Sequence, residues 1–158
     1  MQQLAILNTR DIKRIKEQLI RQFGYAPTEE YAYLKSEKEK IFIINKDVAR
    51  IELKNLIIDK MGLYFAEDKG TEIRLSKEGA QLLGREAQKN KKPLKNSVNL
   101  SIEEVQTYFQ GQDLEKDLGG ENRLVLLQYE KDVLGCSRYK EGKILNFLPK
   151  IHRGEVIV

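Results

Sequence analysis

At 158 residues the chain has room for one ordinary domain or two small ones, and 41% hydrophobic against 33% charged residues excludes a generally disordered chain. The 28 Lys and Arg against 24 Asp and Glu give a net charge of +4, which permits binding to a polyanion without requiring it. A single cysteine and a single histidine exclude an internal disulfide and any credible zinc-ligand set, so we expect a reducing environment and no metal or cofactor.

The first predicted element is an amphipathic helix. Asn8 or Thr9 can cap it, Gly24 can end it, and its apolar positions fall on one face: Ile12, Ile15, Leu19, Ile20 and Phe23. The opposite face is basic, which is more often a solvated surface than a binding site. Neither a basic leader nor a long apolar run precedes this helix, so we expect no signal peptide, no membrane-spanning segment and a cytoplasmic protein.

The remaining N-terminal elements indicate a mixed α/β domain. Apolar runs at residues 31–34 and 41–44 flank a charged loop and predict a hairpin, and a second helix is expected after Asn45. Strand patterns follow at residues 57–58, 61–65 and 71–75, and Ser76 can cap a further helix. The polar, basic stretch at residues 89–93 ends that helix and predicts a domain boundary, with one domain at 1–92 and another at 93–158.

The C-terminal elements predict a small, partly closed barrel. Ser101 and Glu104 form a capping box for a short helix that closes near Gly111. Strand patterns then occupy residues 124–129, 133–139, 143–148 and 155–158, separated by short turns. Closure of such short strands removes exposed sheet edges, so the predicted fold class is α+β with a C-terminal β pseudobarrel.

Basic residues cluster at residues 85–95 and 136–153, on either side of an acidic stretch at residues 101–121. Cations bind phosphates, and flat rings offer surfaces on which unpaired bases stack, so both are candidate RNA-binding residues. Tyr139 has an alternative as a buried barrel residue, and the lone His152 is as easily incidental as a phosphate or ribose donor. The candidate RNA-binding residues are Lys91, Lys92, Lys95, Arg138, Tyr139, Lys140, Lys143, Lys150, His152 and Arg153.

Three motifs at the end of the chain carry a resemblance to a known family. They are Leu134-Gly135-Cys136, Gly142-Lys143-Ile144-Leu145-Asn146 and Pro149-Lys150-Ile151-His152-Arg153. Residues 97–153 resemble a PUA domain, of the type that follows the catalytic domain in RNA 5-methylcytosine methyltransferases. The first ninety or so residues are similar in arrangement to the pre-PUA domain of ribosome-biogenesis factors.

The resemblance implies binding to structured RNA, either a ribosomal RNA precursor or transfer RNA, as an accessory in ribosome biogenesis or RNA modification. It does not imply catalysis, because the chain has no cofactor-binding domain and Cys136 stands in a strand pattern with no activating base beside it. An alternative function is a protein-interaction module that docks on an RNA methyltransferase or a ribosomal protein. An enzyme is a third possibility, against which the sequence argues by its lack of a cofactor loop, metal set or activated nucleophile.

Overall fold

The computed structural model describes residues 4–46 and 62–147, which form two five-stranded sheets and three helices. None of these helices is long and apolar enough to span a membrane. The helices are α1 (Thr9–Phe23), α2 (Lys77–Lys89) and α3 (Ile102–Phe109). The strands are β1 (Leu4–Ile6), β2 (Tyr31–Ser36), β3 (Lys40–Asn45), β4 (Leu63–Asp68), β5 (Ile73–Leu75), β6 (Ser97–Asn99), β7 (Leu114–Glu115), β8 (Arg123–Tyr129), β9 (Asp132–Lys140) and β10 (Lys143–Ile144).

Helix α1 confirms the predicted caps. The side chain of Asn8 accepts a hydrogen bond from the backbone N–H of Asp11, and Gly24 adopts φ 81° as the left-handed C-cap. Most of the predicted apolar face packs into the core, but Ile20 is 49% exposed, so its assignment to that face was wrong. Successive helical residues are about 100° apart, which places Ile20 one step beyond the buried position Leu19.

The first sheet is antiparallel throughout, in the order β1-β2-β3-β4-β5. The predicted hairpin is confirmed as β2 and β3, and the strand patterns near residues 61–65 and 71–75 are confirmed as β4 and β5. The rings of Tyr33 and Phe65 pack edge to face in the core beneath this sheet, with their centroids 6.4 Å apart. The helix expected after Asn45 and the strand at residues 57–58 lie outside the described residues, and the pre-PUA resemblance of this half stays a prediction.

The second sheet has the order β6-β8-β9-β10-β7, is antiparallel except for the β6–β8 pair, and forms a curled half-barrel. Helix α3 begins with the predicted capping box between Ser101 and Glu104. Strand β10 ends at Ile144, well short of the predicted 143–148. The chain leaves the sheet there, and the Asn146 N–H donates to the Asp113 carboxylate at 2.7 Å. The strand predicted at 155–158 lies outside the described residues.

Strand β8 is buried on both faces, which explains its nearly continuous apolar sequence. Leu124 and Leu126 pack into a core shared with α1, α2 and the first sheet. Val125 and Leu127 pack on the other side, with α3 and the interior of the half-barrel. The boundary between residues 92 and 93 stays a prediction, but the hydrophobic core crosses it.

Candidate nucleic-acid interface

Lys140 and Lys143 face each other across the β9–β10 hairpin. They are direct cross-strand partners, and both are exposed. Glu141 and Gly142 connect them with φ values of 49° and 81°, as in the tight two-residue turns that match the twist of a hairpin. The structure thus brings together two of the predicted RNA-binding residues, which we call the hairpin pair.

Arg138, two residues before the hairpin pair, is committed to a contact within the protein. Its guanidinium forms an ion pair with Glu72, in the turn before β5, and both side chains are largely shielded from solvent. The pair links the second sheet to the first. Arg138 therefore has a structural partner within the protein, and its assignment as an RNA contact stays a prediction.

Tyr139 is 1% exposed and belongs to the core of the half-barrel, so its ring offers no surface to a base. Its hydroxyl donates to the Gly119 carbonyl at 2.7 Å and accepts from the Leu118 N–H at 3.0 Å. The buried-barrel alternative is therefore correct, and the assignment of Tyr139 to RNA stacking was wrong. Phe147, by contrast, is half-buried, and the Arg74 guanidinium lies 4.6 Å from the centre of its ring.

The three lysines of the α2–β6 connection have fixed backbones and exposed side chains. The Lys92 N–H donates to the Ala87 carbonyl at 2.8 Å, and the Lys95 N–H donates to the Phe23 carbonyl at 2.7 Å. Lys91 adopts φ 54° at the start of the connection. Three further predicted contacts, Lys150, His152 and Arg153, lie outside the described residues.

A groove runs between α2 and the β8–β9 turn. It consists of two adjoining cavities, of about 240 and 350 Å³, which share Gly84, Gln88, Lys131 and Val133 as lining residues. Arg85 lines only the smaller cavity and Lys92 only the larger one. We call this the α2–β9 groove. It includes Lys92 from the predicted set and Lys131, a cation of the β8–β9 turn that is not in that set.

The walls of the α2–β9 groove are held close together. Gly84 of α2 sits directly against the side chain of Val133, which a larger residue would displace. Beside it, the Gln81 side-chain amide donates to the Leu134 carbonyl at 3.1 Å. The groove is therefore formed by packing between the two halves of the chain and has no counterpart in either half alone.

The hairpin pair and Lys131 lie at opposite ends of the same strand region. Strand β9 spans nine residues from Asp132 to Lys140, which places its first and last Cα atoms about 26 Å apart at roughly 3.3 Å per residue. These exposed cations thus lie at the two ends of β9. A polyanion that contacts both must extend along the strand direction.

Two observations on the described residues bear on catalysis: the lack of a metal-ligand cluster and the burial of the thiol of Cys136. No group of three potential metal ligands occurs among residues 4–46 and 62–147. Cys136 is buried in the shared core, and this burial raises its thiol pKa to about 12, which keeps it protonated at neutral pH. The strand pattern predicted around Cys136 is confirmed as β9.

Comparison with known proteins identifies the C-terminal half. Residues 95–153 match the family model described as "Methyltransferase RsmF PUA domain", which covers less than half of the chain. No curated protein matches the sequence. A PUA domain implies RNA binding in general. The C-terminal part of the chain is therefore a PUA domain, similar to the one that RNA methyltransferases carry as their C-terminal tail.

Proposed function

We propose that this protein binds structured RNA, either a ribosomal RNA precursor or transfer RNA, and acts as a non-catalytic, cytoplasmic accessory in ribosome biogenesis or RNA modification. The match of residues 95–153 to a PUA domain carries the proposal. In this function any chemical step on the RNA belongs to a separate enzyme, such as a methyltransferase or another factor of ribosome assembly.

The free cations of the PUA domain support the proposal. Lys140 and Lys143 are exposed, and neither forms an ion pair with another residue in the described part of the chain. Their like charges are direct neighbours across the hairpin, which is unfavourable in the free protein. A phosphate placed between them relieves this repulsion and releases the counterions that the phosphate had condensed.

Binding of transfer RNA and of precursor ribosomal RNA fragments across a series of salt concentrations tests the proposal. Affinity must fall steeply as salt rises, because Lys and Arg replace counterions on the phosphates. The double variant Lys140→Gln/Lys143→Gln should bind more weakly, with a salt slope shallower by about 1–2. A matched control is Lys13→Gln/Lys38→Gln, which removes the same charge from exposed sites elsewhere. A salt-independent affinity would contradict the proposal.

Docking on a protein partner is the competing outcome. Purification of the tagged protein from cells, with and without nuclease treatment, separates the two. Partners held through RNA disappear after nuclease, as the proposal requires. A methyltransferase or ribosomal protein that remains bound after complete digestion, together with no affinity for purified RNA, would replace RNA binding with direct protein docking.

A further inference from the structure

We infer that the α2–β9 groove holds a single-stranded segment of the bound RNA, so that both halves of the chain form the RNA-binding surface. This inference rests on the proposed function. It adds a second contact region, remote from the hairpin pair, and specifies unpaired RNA as its ligand.

The charges around the α2–β9 groove favour a polyanion. Arg85, Lys92 and Lys131 are exposed along it, and none forms an ion pair with another residue that the structure describes. Asp132 is the one acidic residue in the described lining. Three cations against one carboxylate along a concave surface concentrate positive potential where a backbone can lie.

Polar side chains between these cations suit the edges of unpaired bases and ribose hydroxyls. Gln88, Asn99 and Ser97 line the groove and present both donors and acceptors. The Gln128 amide donates to the Glu130 carbonyl at 3.0 Å, which leaves its side-chain oxygen as an acceptor. Base edges are accessible to such groups only where the RNA is unpaired.

The dimensions of the groove favour a single strand over a duplex. Cavities of about 240 and 350 Å³ are of the size that encloses one small ligand each, whereas a double helix meets a protein across a broad surface. No aromatic ring is among the described residues that line the groove. Base stacking there is limited to the Arg85 guanidinium, so phosphate contacts and polar edges dominate the binding.

Two RNAs and three variants test the inference. One probe is an RNA hairpin with a single-stranded tail of about ten nucleotides, enough to cover one binding module, and the other is the same hairpin with a blunt end. The groove variant is Arg85→Gln/Lys92→Gln/Lys131→Gln, and the hairpin variant is Lys140→Gln/Lys143→Gln. The charge-matched control, Arg10→Gln/Lys13→Gln/Arg21→Gln, removes three exposed cations from α1. Circular dichroism verifies that each variant is folded.

The unchanged protein should bind the tailed RNA more tightly than the blunt RNA, by about tenfold. The groove variant should lose this preference. The hairpin variant should bind both RNAs more weakly but keep the preference for the tailed RNA. A groove variant that retains the full preference would overturn the inference and leave the proposed function intact. A protein that binds neither RNA in a salt-dependent way would instead contradict the proposed function itself.

A second measurement needs no variant. In the complex with the tailed RNA, Lys92 and Lys131 should be protected from amine acylation, while Lys13 and Lys38 react as in the free protein. Equal acylation of Lys92 and Lys131 with and without RNA would overturn the inference. So would displacement of the tail by a polyglutamate peptide as effectively as by single-stranded RNA, because the groove would then be a general site for acidic chains.

Discussion

Gly84 of α2 lies so close to Val133 of β9 that a methyl group on Gly84 would come within 2.5 Å of Val133 Cγ2. This contact sets the separation between the N-terminal half and the PUA domain, and with it the width of the α2–β9 groove. The absence of a side chain at residue 84 is therefore a requirement of the packing between the two sheets.

Gly84→Ala should lower the free energy of unfolding by up to about 2 kcal/mol. Alanine favours a helix over glycine by about 1 kcal/mol, but overpacking against the stiff Val133 side chain costs about 1–3 kcal/mol. In a Val133→Ala background the overlap with Cγ2 disappears but the Cβ atom of residue 133 stays at 2.6 Å, so the same substitution should remain destabilising and cost less. Urea unfolding of the four proteins gives the coupling. Equal effects of Gly84→Ala in both backgrounds would show that the contact is not responsible.

Arg138→Gln should reduce stability and leave RNA affinity nearly unchanged. The loss of its ion pair with Glu72 should cost about 0.5–1 kcal/mol, since the pair is largely shielded from solvent. Glu72→Gln should cost a similar amount, and the double variant less than the sum of both. Glu72→Gln also distinguishes the two roles of Arg138, because it frees the guanidinium. A several-fold loss of RNA affinity in Arg138→Gln, without loss of stability, would instead support Arg138 as an RNA contact.

Asp68 should make the protein sensitive to acid. Burial alone would raise its pKa, but hydrogen bonds from Arg14, the Gly70 N–H and Lys35 hold the pKa at about 2, below the ordinary 3.8. The unfolded chain therefore binds the proton more tightly. The stabilising contribution is complete above pH 3.8 and is lost as the pH falls toward 2, by roughly 1–2 kcal/mol.

The test is urea unfolding between about pH 6 and pH 2. Asp68→Asn should be less stable at neutral pH and should lose part of the acid-induced decline. Glu37→Gln, at an exposed site in the β2–β3 turn, is the control and should keep the decline. An unchanged decline in Asp68→Asn would assign the acid sensitivity to other carboxylates.

The fragment 93–158, which the sequence predicts as a domain, should not fold cooperatively alone. It would expose Leu124, Leu126 and Val133, which are buried against the N-terminal half. Exposure of each of these side chains costs about 1.5–3 kcal/mol of stability. The three costs together are comparable with the whole stability of a small domain. Fragment 77–158, which keeps α2, should recover part of the structure. Circular dichroism and dye binding measure both, and a sharp unfolding transition of fragment 93–158 near that of the full chain would contradict this prediction.

Local chemistry made much of the fold predictable. The caps at Asn8, Ser76 and Ser101 act on backbone groups within three residues, so the sequence alone contains both partners of each hydrogen bond. The hairpin turn at Glu141-Gly142 is predictable for the same reason. The resemblance to a PUA domain, which motifs near the end of the chain indicate, agrees with the family match of residues 95–153.

The candidate site was less predictable because its contacts join distant residues. Charge marks Arg138 as a possible phosphate contact, but nothing local shows that Glu72, 66 residues earlier, neutralises it. Tyr139 was ambiguous because β9 is buried on both faces, and alternation then no longer separates inside from outside. The α2–β9 groove was missed because no pattern in the sequence reveals that α2 packs against β9.

The connection between α2 and β6 is tied to both halves of the chain. The Asn96 carbonyl accepts from the Leu126 N–H at 2.8 Å, and the Asn96 side chain donates to the Gln22 carbonyl at 2.6 Å. A receptor held in this way loses little freedom when it is occupied, so the entropic cost of association falls mainly on the RNA. An unpaired strand whose bases are already stacked loses less conformational entropy on binding than a flexible strand does. The rigidity of the connection would thus convert the flexibility of the RNA into a preference among sequences, without any base being read directly.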